Sequence, residues 1–413
     1  MAKKLNSKIT EIVKQVPRRL VRRMIQKKLE AQSITDDALL ETLTDHILLG
    51  GDEPFRWENE AEDDTEVVIA FSARDAEDLL ADMKHAIDVS LPEAITEAVA
   101  ATSSSVVRRM EKQWPEIKLS ERHEMQFFKD RLDLRWAPVL DPLRMMLVSA
   151  REVGETFALK LSRSKAKKDL TKRKVLVMLH ARACQTTLEI LMLLESGLPD
   201  GAYARWRTLY EISVVCFLIS RFGDEIAERY LAHEIVSDRE SVINELRHEG
   251  KFYEPEKMER GFRDLEADYQ AAVAKYGATF KSPYGWAAHS LSLRAPRFAD
   301  LEEAVDWPSL PSDYKWSSYK VHAGVAGTVW TLGTLGDRRV MLAGATNAGL
   351  QVPAVNTAYS LLHVTSVLFG TLSDVEIQVQ MHALILLRDK VLANSRKVAK
   401  RLKQDHIEIF GSL

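Results

Sequence analysis

The stretch from Lys174 to Glu249 constrains the fold most, because it reads as three long, mostly apolar helices joined by two tight breaks. The breaks are residues 197–201 (Gly-Leu-Pro-Asp-Gly) and residues 221–224 (Arg-Phe-Gly-Asp). Glycine commonly ends a helix, and proline commonly opens the next one. Short connections place successive helices side by side and antiparallel. The stretch therefore predicts the centre of a multi-helix bundle, and we expect an all-α protein with a smaller helical N-terminal region.

Apolar spacing and charge divide the chain into four predicted regions. They are a basic helical N-terminal module (1–50), an acidic linker (51–66), a helical intermediate region (67–150) and a core helical bundle (151–413). Prolines should interrupt helices, so we expect a kink or break at Pro17 and a break near Pro138 and Pro142. A serine-rich patch at 102–105 predicts a helix start, and residues 314–335 predict one further helix.

Composition indicates a soluble globular protein: 46% of the 413 residues are hydrophobic and 28% are charged. The formal net charge of −3 predicts no overall affinity for polyanions. Residues 1–30 and the last helix are nevertheless basic, and such helices either attract nucleic acid, acidic lipid or an acidic partner, or are solvated faces. The only cysteines, Cys184 and Cys216, lie in apolar helical runs, which predicts buried thiols in a reducing compartment.

The sequence predicts a cytoplasmic protein without an integral membrane segment. No apolar run approaches the ~20 residues that span a bilayer. The basic N-terminus lacks the hydrophobic segment of a secretory signal.

Several strong catalytic and cofactor motifs are missing from the sequence. None of the three His-Glu pairs is followed by the second histidine of a zinc protease helix. Residues 344–349 have the glycine spacing of a phosphate-binding loop, but Leu350 and Gln351 follow where lysine and a hydroxyl residue are needed. We therefore expect no metal and no cofactor.

The sequence feature that indicates a functional site is a set of polar side chains among the apolar residues of these helices. Burial of a charge is costly unless the charge is paired, so these polar groups are expected to contact one another. Arg207 and Glu211 are four residues apart and can pair, whereas Arg205 could reach a neighbouring helix. Histidine titrates near neutrality and suits acid–base chemistry. The predicted catalytic residues are His233, His322 and Glu211, and the predicted ligand- or phosphate-binding residues are Arg205, Arg207, Tyr230, Trp286 and Tyr319.

A structural reading competes with the functional one, because Arg–Glu pairs also fix helix register and histidines on apolar faces are often core residues. For Arg182 and Glu189 the structural reading is favoured. One short pattern resembles the helical ribonucleases of the HEPN class, in which an arginine precedes a histidine by a few residues. Arg173 and His180 have six residues between them, a spacing that also occurs by chance.

Residues 197–211 (Gly-Leu-Pro-Asp-Gly-Ala-Tyr-Ala-Arg-Trp-Arg-Thr-Leu-Tyr-Glu) resemble the signature of a bacterial family of unknown function, DUF5677. Residues 229–234, 284–288 and 319–323 resemble its later motifs, so that the likeness covers roughly residues 170–330. The resemblance implies a helical domain whose polar motif residues meet, and it implies no established activity.

Two functions are expected from these patterns. The first is a polar pocket that binds RNA or a phosphate-bearing ligand, or cleaves RNA, in bacterial stress response or phage defence. The second is a non-enzymatic interaction or scaffold module whose buried polar network is structural, with a protein partner or a second copy of the chain.

Overall fold

The computed structural model describes residues 2–50, 55, 57, 68–165, 168–247, 255–305, 310–335, 342–369 and 375–411. Within these residues all regular secondary structure is helical, which confirms the predicted all-α class. The helices are α1 (Ala2–Glu30), α2 (Asp37–Leu48), α3 (Ala73–His85), α4 (Leu91–Arg163), α5 (Leu170–Glu195), α6 (Pro199–Phe222), α7 (Asp224–Ala232), α8 (Glu234–Arg247), α9 (Pro255–Tyr276), α10 (Gly285–Leu291), α11 (Phe298–Val305), α12 (Pro311–Ser318), α13 (Val325–Val329), α14 (Gln351–Phe369) and α15 (Val375–Phe410). A π-helical turn (Ala86–Ser90) precedes α4, and a 3₁₀ turn (Ala278–Lys281) precedes α10.

Contacts divide the chain into two units, Met1–Arg122 and His123–Leu413, so the division falls within α4. The sequence predicts that the core bundle starts near residue 151. Most of the predicted acidic linker, 51–66, lies outside the described residues.

The first unit has a small core that α1 and α2 form together. Val21, Ile25 and Leu29 of α1 pack against Leu40 and Leu43 of α2. Charged pairs flank this core: Arg18 and Arg22 of α1 contact Glu41, and Arg18 also contacts Asp45. Part of the basic charge of α1 is thus neutralised within its own unit.

The second unit is a bundle with α5, α6 and α14 at its centre, and α6 also packs against α11 and α12. Trp206 of α6 is completely buried, and its indole Nε1 donates to Ser360 Oγ of α14 at 3.0 Å. Cys184 and Cys216 are buried free thiols, as the sequence predicts. Gly197, between α5 and α6, has a φ of 69°, and a Cβ there would lie 2.6 Å from Thr346 O, so only glycine fits this turn.

Two core helices, α5 and α14, are long and apolar enough by composition to cross a membrane. Their most apolar windows are 56% and 72% buried inside the bundle, respectively.

The predicted helix break near Pro138 and Pro142 and the predicted helix start at 102–105 were wrong, because α4 continues through all of these positions. α1 also continues through Pro17, so no break occurs there. A proline inside a helix leaves the carbonyl four residues earlier without its donor. The carbonyl of Pro138, four residues before Pro142, instead accepts a hydrogen bond from Asn394 Nδ2 of α15 at 2.7 Å. A long-range contact thus satisfies the group that the proline frees.

Two predicted helices are interrupted. The third helix of the 174–249 stretch divides into α7 and α8 at His233. The predicted helix 314–335 ends at Ser318, a turn follows, and α13 is only five residues long. Gly327 explains the turn: a Cβ there would lie 1.9 Å from the carbonyl oxygen of Tyr319, because the chain folds back closely on itself.

Candidate functional site: an arginine-lined cleft on α6

One face of α6 forms the floor of a shallow, open cleft of about 510 Å³. The floor residues recur at helical spacing, which places them on one side of the helix. Gly201 and Ala204 leave room near the start of α6, and Val321 closes one side from the turn after α12. The complete lining is Leu193, Gly201, Ala204, Arg205, Arg207, Thr208, Glu211 and Val321.

Arg205 is held at the cleft from two sides. Its Nε donates to Glu189 Oε2 of α5, which confirms that this arginine reaches a neighbouring helix. Its Nη1 donates to Thr208 Oγ1 at 3.3 Å. Among the described residues, Nη2 has no hydrogen-bond partner, although arginine carries five N–H donors. The side chain is 26% exposed, so part of it remains accessible from the cleft.

Arg207 belongs to a closed ring of hydrogen bonds with Glu211 and Tyr314. Its Nε donates to Glu211 Oε1 at 3.1 Å, which confirms the predicted pair, and its Nη2 donates to Tyr314 OH at 2.8 Å. The Tyr314 hydroxyl in turn donates to Glu211 Oε1 at 2.6 Å. Within the described part of the chain, Nη1 of Arg207 makes no hydrogen bond. The ring therefore fixes the guanidinium and leaves one edge free, as in Arg205.

The surroundings of Tyr314 keep its hydroxyl protonated at neutral pH. Burial, and then the hydrogen bond to Glu211, raise the pKa of Tyr314 above its usual value, so its hydroxyl remains a donor. The lining carries two arginines and one glutamate, a formal charge of +1. Glu189 balances that charge from beside the lining.

His233, a predicted catalytic residue, is 7% exposed and does not line this cleft. Its Nε2 lies 3.1 Å from the carbonyl oxygen of Phe280 and 2.9 Å from that of Ser282. Because a carbonyl only accepts, Nε2 carries the proton in this arrangement. Burial lowers the pKa of His233, while the two carbonyl contacts oppose the shift. The imidazole therefore joins α7 to the segment around the 3₁₀ turn.

Tyr230 and Trp286, predicted to bind a ligand, pack against each other instead of lining the cleft. Their rings meet edge to face at a centroid distance of 5.2 Å, and Trp286 is 4% exposed. Burial raises the pKa of the Tyr230 hydroxyl. This pair contributes to the junction of α7 with α10.

Tyr319 and His322, the remaining predicted residues, lie in the turn after α12, on either side of Lys320 and Val321. Both side chains are exposed. Since Val321 lines the cleft, this turn is at its edge. The predicted residues thus fall into three groups. Arg205, Arg207 and Glu211 line the cleft. Tyr319 and His322 lie near the lining residue Val321 in the sequence, whereas His233, Tyr230 and Trp286 pack elsewhere.

Sequence reasoning missed Thr208 and Tyr314. Thr208 had a recognisable signal, because it is three residues after Arg205 and seven after Gly201 and so shares their helix face. Tyr314 had no signal, because it is more than a hundred residues from Arg207 in the chain.

Among the described residues, no group of three or more His, Cys, Asp or Glu is arranged to hold a metal ion. His180 of the Arg173–His180 pattern is 2% exposed, and burial lowers its pKa to about 4.

Fold and cleft together define an all-α bundle protein with an arginine-lined cleft on a central helix. Residues 173–335 match the model of a family of unknown function (DUF5677), which confirms the resemblance over that segment. All residues that line the cleft lie inside the matched segment. Comparisons with curated proteins and with solved structures found no match.

Proposed function

We propose that the α6 cleft binds a phosphate-bearing ligand through Arg205 and Arg207. The observation that carries this proposal is that one cleft is lined by two arginines, each held at Nε by a carboxylate and each with one terminal nitrogen that makes no hydrogen bond within the described part of the chain. Guanidinium groups bind phosphate oxygens with short, charge-assisted hydrogen bonds. Prior fixation reduces the conformational entropy that binding would otherwise cost.

The experiment is a calorimetric titration of the purified chain with inorganic phosphate at low ionic strength. Arg205→Gln and Arg207→Gln should each weaken binding about tenfold or more, since a hydrogen bond to a charged group contributes about 1.5–3 kcal/mol. Binding should also weaken as salt is added, because ions screen the attraction. Arg144→Gln is the matched control: Arg144 pairs with Glu195 in the same unit but does not line the cleft. No phosphate binding by the wild type would favour the alternative, a structural network in an interaction module.

RNA cleavage is a second candidate, which one observation favours: His322 is exposed and follows the cleft residue Val321 directly. An imidazole there is accessible for acid–base chemistry on a bound phosphodiester. His322→Ala should then abolish cleavage of a single-stranded RNA. His233→Ala, if it folds, should retain cleavage because His233 is held by backbone carbonyls. A wild type that leaves RNA intact would remove this candidate and leave the binding proposal standing.

A further inference from the structure

An exposed apolar surface adjoins the cleft, and the proposed phosphate site does not account for it. We call this surface the apolar rim. It consists of residues from α12, α13 and their flanking turns that are between 38% and 81% exposed: Trp316, Tyr319, Val321, Val325, Val329 and Trp330. Exposed apolar patches of this kind usually mark a binding site.

The rim is fastened to the first turns of α6, the same turns that form the cleft. Asp200 contacts Lys320 Nζ at 3.0 Å and accepts from the backbone N–H of Leu332 at 3.1 Å. Tyr203 OH donates to the carbonyl of Asp313 at 2.7 Å. Three separate contacts therefore hold the segment 313–332 against α6, and the apolar residues stay exposed although their backbone is fixed.

The aromatic part of the rim is connected to the cleft lining through the turn after α12. Val321 belongs to both the rim and the cleft lining, and Tyr319 is two residues away, within roughly 7 Å along an extended chain. The Tyr319 ring meets the Trp316 ring edge to face at a centroid distance of 5.5 Å. Proteins hold single nucleotides and single-stranded nucleic acid by combining two elements. Cationic groups bind the phosphate, and exposed aromatic rings stack on the base.

We infer that the ligand is a nucleotide, with its phosphate on Arg205 and Arg207 and its base against Tyr319 and Trp316. This inference rests on the proposed function, because it assigns the second half of the same ligand. A nucleotide fits better than an apolar protein surface, since an apolar surface would leave the two guanidinium edges unpaired. The nucleotide is either free or part of a single-stranded RNA, because both present the same phosphate and base groups.

The test compares three probes on the purified chain by calorimetry: AMP, ribose 5-phosphate and a short oligoadenylate RNA. AMP should bind at least about fivefold more tightly than ribose 5-phosphate, which is the lower end of what stacking of one base supplies. Oligoadenylate that binds more tightly than AMP would identify RNA as the source of the nucleotide. Equal affinities for AMP and oligoadenylate would identify a free nucleotide.

Variants of the apolar rim test whether its aromatic residues cause the preference for AMP over ribose 5-phosphate. The double variant Trp316→Ala/Tyr319→Ala should reduce AMP affinity to that of ribose 5-phosphate without changing the affinity for ribose 5-phosphate, whereas Tyr319→Phe alone should keep the preference. Trp114→Ala is the matched control, an exposed aromatic residue outside the rim that should change neither affinity.

Equal affinity of the wild type for AMP and ribose 5-phosphate would overturn the nucleotide inference and leave the phosphate site intact. A preference for AMP that persists in Trp316→Ala/Tyr319→Ala would also overturn it. A dimer in light scattering that dissociates in Tyr319→Ala would do the same, because a second copy would then cover the rim. Absence of binding by all three probes would overturn the proposed function as well.

Discussion

Substitution of Glu211 by glutamine should strengthen phosphate binding while it weakens the fold. The carboxylate of Glu211 lines the cleft and pairs with Arg207 at 3.1 Å, so it competes with an anion for the same guanidinium. Glutamine keeps the size of the side chain and its amide oxygen can still accept from Tyr314. The substitution therefore removes mainly the negative charge.

The size of the effect follows from Coulomb's law. A phosphate on the free edge of Arg207 would lie on the order of 6 Å from the Glu211 carboxylate, and at an effective dielectric constant of about 40 two unit charges at that distance repel by about 1.4 kcal/mol. This corresponds to about a tenfold change in affinity. The intermediate dielectric constant is appropriate because the Glu211 side chain is 37% exposed. For the same reason the lost ion pair should cost only about 1–2 kcal/mol of unfolding free energy, between exposed and buried pairs.

The assay is calorimetric titration with inorganic phosphate, combined with urea unfolding of the same preparations. Glu195→Gln is the control, since Glu195 is similarly exposed, also pairs with an arginine and lies outside the cleft lining. We expect Glu211→Gln to bind phosphate about ten times more tightly, by the repulsion calculated above, and Glu195→Gln to bind like the wild type. Weaker binding by Glu211→Gln would refute the reasoning, because it would mean that the carboxylate supports the ligand.

Three further predictions concern stability in urea unfolding. Tyr314→Phe keeps the ring but removes the hydroxyl that joins Arg207 to Glu211, and it should cost about 1–2 kcal/mol; a wild-type midpoint would show that the ring of hydrogen bonds contributes nothing. Gly154→Ala should cost about 1–3 kcal/mol, because the new Cβ would lie 2.6 Å from Nδ1 of the buried His180; an unchanged midpoint would contradict this close packing. Acid should destabilise the fold between about pH 6.5 and pH 4: burial lowers the pKa of His180 and of His363 to about 4, so in this range the unfolded chain binds protons that the folded chain excludes. His180→Gln, if folded, should show a shallower loss of stability over this range, and an unchanged slope would contradict the assignment.

The helices of the bundle centre were predictable because their signals are local. Gly197 and Pro199 mark the junction of α5 and α6, and the four-residue spacing of Arg207 and Glu211 predicts their pair. The continuity of α4 was not predictable, because Asn394, more than two hundred residues later, supplies the donor for the carbonyl of Pro138.

The cleft itself was only half predictable. The spacing of Gly201, Arg205 and Thr208 marks one helix face, but sequence periodicity does not say whether that face is covered or open. The sequence predicts one continuous third helix and His233 as a catalytic residue of the same pocket. The helix ends at Ala232, and the imidazole then meets the carbonyls of Phe280 and Ser282. Tertiary contacts between distant segments therefore determine both whether the α6 face is open and where His233 packs.

The most direct test of the proposed phosphate site is a crystal structure of the protein with tungstate, a heavy-atom mimic of phosphate. Anomalous scattering locates the ion independently of any assumption about the site. We predict one ordered tungstate in the α6 cleft, within hydrogen-bonding distance of Arg205 Nη2 and Arg207 Nη1. Ordered tungstate elsewhere, with the cleft empty at a concentration that saturates calorimetric binding, would contradict it.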